Sequence, residues 1–132
     1  MTRTRLATLV RARDLLVKAR DYLSDPNHWI KSRFYAPSYL GSGPRYCAIG
    51  AIEGMLKHTP GAGPATARSA RRCLDTGFIQ RYGYSAITIN DNSHTRHDEI
   101  LDGYDQAILM LDLELEKVGV LKDGVVVAEF KP

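Results

Sequence analysis

Late in the chain, Ile100, Leu101, Tyr104, Ala107, Ile108, Leu111, Leu115 and Val118 follow one another at helical spacing. Residues three and four apart share one face of an α-helix, so these eight form a single apolar stripe. A helix this amphipathic gains its stability by burying that stripe, and the rest of the chain has to supply the surface that covers it. Asp98 and Glu99 complement the positive end of the helix dipole, Ser93 or Thr95 is expected to cap it, and Gly119 ends it.

Other helices can be read upstream. Leu6, Leu9, Val10, Leu16, Ala19, Tyr22 and Leu23 mark an amphipathic helix over residues 6–23, stopped by Ser24-Asp25-Pro26. A second helix is expected from Tyr46 to His58. Its glycines Gly50 and Gly54 each cost about 1 kcal/mol against alanine, which calls for the close approach of a neighbour and makes this the expected central helix. After the breakers Thr59-Pro60-Gly61, Pro64 suits the first turn of a third helix that should end near Thr76-Gly77. Ala86-Ile87-Thr88-Ile89 reads as a short strand broken by Asn90-Asp91-Asn92.

Residues 120–130 read as a β-hairpin about the turn Asp123-Gly124. Between the first two helices runs a long segment carrying Trp29, Phe34, Tyr35 and Tyr39, whose aromatics are expected to pack down as a lid on the core. The fold class expected is therefore mainly α, a compact four-helix single domain over residues 1–132 with a long aromatic loop and a small C-terminal hairpin. At 44% hydrophobic residues in 132, the chain can bury one core without staples, and disordered or collagen-like classes are excluded.

No apolar run is long enough for a signal peptide or membrane span. Two cysteines, Cys47 and Cys73, fit neither a C-x-x-C pair nor a metal spacing, and read as reduced thiols of a cytoplasmic protein. Charge is unevenly distributed. Residues 1–81 carry 14 Lys/Arg against 5 Asp/Glu, whereas residues 82–132 carry 4 against 10. The two halves can neutralise each other through packed helices, or the basic half, with Arg68, Arg71 and Arg72 on one helical face, can meet the phosphates of a nucleic acid.

Cys47 is the candidate nucleophile, since a thiol at a helix start meets unpaired N–H groups that favour the thiolate. A base and an orienting group are then required, and His94 or His97 with Asp91 or Asn90 can supply them. The competing reading is that Cys47 is simply packed among small residues, with Asn90 and Asp91 making turns. Asp91, Ser93 and Thr95 alternate as in the start of a calcium loop but lack its glycine and distal glutamate, so no metal is expected. No cofactor motif is present. Trp29, Tyr35 and Asn90, with the three arginines, are the candidate binding residues.

The segment Cys47-Ala48-Ile49-Gly50-Ala51 and the later pair Asn90-Asp91, followed by Glu99-Ile100 and Ala107, resemble an uncharacterised family of small bacterial and phage proteins. That family opens a helix with C-x-x-G-A and carries N-D, often W-N-D, before its closing amphipathic helix. Ile89 stands where tryptophan is usual, and the hairpin after Val118 reads as an addition. The resemblance implies no activity. It favours a regulatory module acting on a protein partner, with a cysteine hydrolase or transferase and a nucleic-acid binder as the alternatives.

Overall fold

The computed structural model describes residues 1–38 and 41–132; Tyr39, expected in the aromatic lid, lies outside them. Three long helices form the frame: α1 over Arg3–Leu23, α3 over Pro64–Tyr82 and α5 over His97–Lys117. The short helix α2, Gly50–Met55, is prolonged by a 3-10 turn over Leu56–His58, and α4 spans Ala86–Asp91. Two antiparallel strand pairs complete the fold. β1 (Tyr35–Ala36) pairs with β2 (Arg45–Tyr46), and β3 (Leu121–Lys122) with β4 (Val125–Val126). The mainly helical class with a C-terminal hairpin is what the periodicities predict.

α1 begins where the Thr2 hydroxyl accepts from the Arg5 amide, and it buries Leu9, Val10, Ala12, Leu15, Leu16, Ala19 and Leu23. α5 runs antiparallel to it, since Arg13 pairs with Asp112 and, one helical stretch later, Arg20 pairs with Asp105. These pairs, with Arg81 at 3.7 Å from Asp102, set three of the basic half's 14 cations against the acidic helix. The apolar stripe of α5 packs chiefly on α3 and α1. It meets the segment before α2 through Tyr104, whose hydroxyl donates to the Ala48 carbonyl. The central position expected for the second helix therefore belongs to the three long helices.

Several boundaries differ from the sequence reading. Tyr46 lies in β2, Cys47 follows it outside any regular element and Ala48 and Ile49 form a turn, so α2 starts at Gly50. Gly77 does not end α3: a Cβ there would lie 2.6 Å from Ala107, and this close approach to α5 is what the glycine permits. The helix ends instead at Gly83, in the left-handed conformation at φ +82°. Ala86–Ile89 is helical: α4 packs against α3 and α5, and its amides close onto the preceding turn, Ile89 N–H donating to Ser85 O at 3.0 Å. Arg96, rather than Ser93 or Thr95, stands at the cap of α5; its amide donates to Glu99 Oε1 at 2.8 Å. The Asp123-Gly124 turn is as expected, with both residues at positive φ.

Candidate functional site

The two sequence motifs meet in space. α4 ends on Asn90 and Asp91, and the Asn90 side chain is fully buried. Its Oδ1 accepts from Trp29 Nε1 at 2.7 Å and from the Ala48 amide at 2.9 Å. Its Nδ2 donates to Ile30 O at 3.2 Å and to Asp91 Oδ1 at 3.1 Å. Two acceptances and two donations exhaust what a carboxamide can do, and the partners fix which way the amide faces. One residue thus ties together the aromatic segment, the start of α2 and α4.

Asp91 extends the junction to the surface. Its Oδ1 also accepts from the Ser32 amide at 2.7 Å. Ser32 sits at φ +65°, a conformation that costs a non-glycine residue energy and has to be held by its surroundings. Lys31 spans the same junction, donating to Asn92 O at 2.7 Å with its ammonium 5.5 Å from the Trp29 ring centroid. Beyond the Ser32 turn the chain exposes Phe34 at 57% and Tyr35 at 52%, although aromatics of this size usually pack down. Ser32, Arg33, Phe34, Ile87 and Asp91 line a shallow hollow of about 180 Å3 there.

The C-x-x-G-A segment serves the same stretch of backbone. The Cys47 amide donates to Phe34 O at 3.3 Å, and a Cβ on Gly50 would lie 2.1 Å from that oxygen. Glycine is required because the Phe34 backbone crosses directly over it. Gly54 is held by the other compensating contact, the Tyr46 ring, which a Cβ would approach to 2.4 Å. The Gly50 amide in turn donates to Cys47 Sγ at 3.2 Å, and the Ala51 amide to Cys47 O at 3.1 Å.

Cys47 is fully buried. Burial pushes its thiol up from the ordinary cysteine value, the Gly50 N–H offsets part of this, and the Asp91 charge adds to the rise. The Tyr104 hydroxyl is raised well above the usual phenol range by burial. Among the described residues no imidazole is hydrogen-bonded to Cys47. His94 is exposed, and its backbone amide bonds to Asn92 Oδ1 at 2.9 Å. His97 places Nε2 2.6 Å from Leu23 O at the end of α1, with its ring 5.8 Å from that of Trp29. Asp91 faces Ser32 and Asn90 rather than an imidazole.

Arg68, Arg71 and Arg72 are exposed on α3, and Arg71 lies 3.8 Å from Glu53. They take no part in the junction. Among the described residues no group of three or more His, Cys, Asp or Glu side chains is arranged to hold a metal, and no helix is long and apolar enough to cross a membrane. Sequence reasoning singled out Trp29, Cys47, Asn90 and Asp91 but missed Ser32 and Ala48. Both enter through backbone amides, which every residue type carries, so their identity held no signal.

The model of a family of unknown function, DUF6197, matches residues 7–109. The chain belongs to that family. The matched range holds both halves of the Asn90 junction, and the C-terminal hairpin lies beyond it. A comparison with curated proteins found no match, and one with solved structures found none. Within this DUF6197 chain the C-x-x-G-A segment and the N-D pair both fall inside the matched range. The C-x-x-G-A segment and the N-D pair are the two supports of residues 29–36.

Proposed function

We propose that this domain is a regulatory module that binds a protein partner through the exposed aromatic segment around Phe34 and Tyr35. One observation carries the reading: both motifs spend their polar groups on fixing the backbone that presents these two rings. Pre-set aromatic side chains lose little entropy on binding and are favoured at the centres of protein interfaces. Arg33 beside them adds a second residue type enriched at such surfaces. The likeness to small bacterial and phage proteins fits a cytoplasmic partner, including a host protein in the phage case.

Site-specific photo-crosslinking in cells tests this. A crosslinker at Phe34 should give a discrete adduct that Tyr35→Ala or Asp91→Ala diminishes, whereas a crosslinker at Leu109, equally exposed on α5, should not. Equal adducts from both positions, or none from Phe34, would remove the aromatic segment as the contact surface.

A further inference from the structure

Away from the junction, α1, the turn at residues 59–63 and the C-terminal hairpin surround a cleft of about 580 Å3, within the size range of small-molecule sites. Its walls are held by backbone bonds. Thr59 N–H donates to Leu56 O and Ala62 N–H to Thr59 O, both at 3.1 Å, and Val127 N–H fastens the hairpin to Val120 O at 2.9 Å. Val125 and Val126 form an apolar wall, although Val125 is 63% exposed to solvent.

Arg11 is the unusual member. It is half-buried and lies across Gly61, where a Cβ would come within 2.8 Å of its Nε. Its neighbours on α1, Arg13 and Arg20, each clasp an aspartate of α5. Arg11 has no such partner: among the described residues no carboxylate comes within 4.0 Å of its guanidinium, and no hydrogen bond satisfies it. Its guanidinium therefore lines the cleft with five N–H donors, none engaged by a protein acceptor, so it is available to an incoming anion.

We propose that this cleft binds a small ligand bearing one carboxylate on an apolar body. The carboxylate pairs with Arg11, in the two-pronged manner that guanidinium geometry favours, and Lys131 at the cleft adds a second positive charge. The apolar body lies on Val125 and Val126. Asp14, also lining the cleft, repels a second anionic group, so a monocarboxylate is preferred over a dicarboxylate. The hairpin wall of the cleft lies outside the family match while Arg11 and Gly61 lie within it, and the cleft is separate from the aromatic segment.

The test is an NMR titration of the full chain with hexanoate, hexanamide, hexylamine and adipate, following the amides of Arg11, Gly61, Gly124 and Val125. Hexanoate should shift them saturably, and each of the other three should bind about tenfold more weakly or worse. Arg11→Gln should weaken hexanoate by about tenfold or more while the rest of the spectrum stays in place. Arg11→Lys, retaining the charge, should keep part of the affinity and serves as the second variant if Arg11→Gln perturbs the fold. The proposal is overturned by the absence of saturable shifts with hexanoate, by equal binding of hexanamide, or by tighter binding of hexylamine, which would make Asp14 the anchor.

Discussion

Trp29 donates its indole N–H to the side-chain oxygen of Asn90 at 2.7 Å, across 61 residues of sequence. The same oxygen accepts from Ala48, and a buried acceptor that serves two donors cannot be removed without stranding both. Asn90→Ala should therefore cost roughly 3 to 5 kcal/mol by urea denaturation, more than a typical point substitution. Asn90→Asp keeps the oxygen but loses both donations and sets a charge beside Asp91, so it should be nearly as damaging. A loss below about 1 kcal/mol for the alanine variant would mean that the amide is not what holds the aromatic segment.

That junction marks the boundary of what the sequence discloses. The apolar stripes of α1 and α5 and the Asp123-Gly124 turn follow from spacing and turn chemistry within a few residues and appear where expected, except that Val118, read as the last position of the α5 stripe, lies past Lys117 and is 44% exposed. The β-branched run Ile87-Thr88-Ile89 favours a strand locally and is overruled because α4 packs against α3 and α5. Gly77 reads as a terminator only while Ala107 is unseen. The partners of Asn90 are two backbone groups, an indole and the neighbouring aspartate, and the long-range ones lie 42 to 61 residues away, beyond the reach of any local pattern.

The contact between α3 and α5 gives a second prediction. A Cβ on Gly103 would lie 2.2 Å from the Phe78 ring, which is itself fully buried. Gly103→Ala should lower stability by about 1 to 3 kcal/mol although alanine gains about 1 kcal/mol of helix propensity over glycine. Adding Phe78→Leu, which relieves the clash, should make the double variant less damaged than the sum of the two single ones. Additive losses in thermal denaturation would place the strain elsewhere.

Charge pairing between α1 and α5 gives a third. Arg13 and Asp112 are both largely shielded, with side chains 17% and 22% exposed, whereas Asp105 opposite Arg20 is 53% exposed. Asp112→Asn should cost about 1 to 2 kcal/mol and Asp105→Asn less than about 1, because solvent screens the second pair. Equal small losses would mean that the charge halves are not neutralised in this way. Salt-dependent binding of a generic duplex, flattened by Arg68→Ala with Arg71→Ala by about one unit of slope per phosphate contact, would return the basic half to nucleic-acid recognition.

Cys47 separates the binding module from the thiol enzyme. Burial raises the Cys47 thiol, so the folded chain holds this proton to higher pH than the unfolded chain does. Over that range the unfolded state binds fewer protons than the folded one, so unfolding becomes easier as pH rises, by up to about 1.4 kcal/mol per pH unit for this group. Cys73 is raised by burial too, so the measurement belongs in a Cys73→Ser background. There, stability should fall as pH rises through the titration range of the unfolded thiol, and Cys47→Ala should flatten that slope. The folded protein should resist iodoacetamide at neutral pH, since the thiolate is scarce and the sulfur has no exposed face. Rapid labelling of Cys47 in the folded state, slowed by His94→Ala, would instead require an open form that brings the imidazole to the sulfur, and the hydrolase reading would displace the binding module.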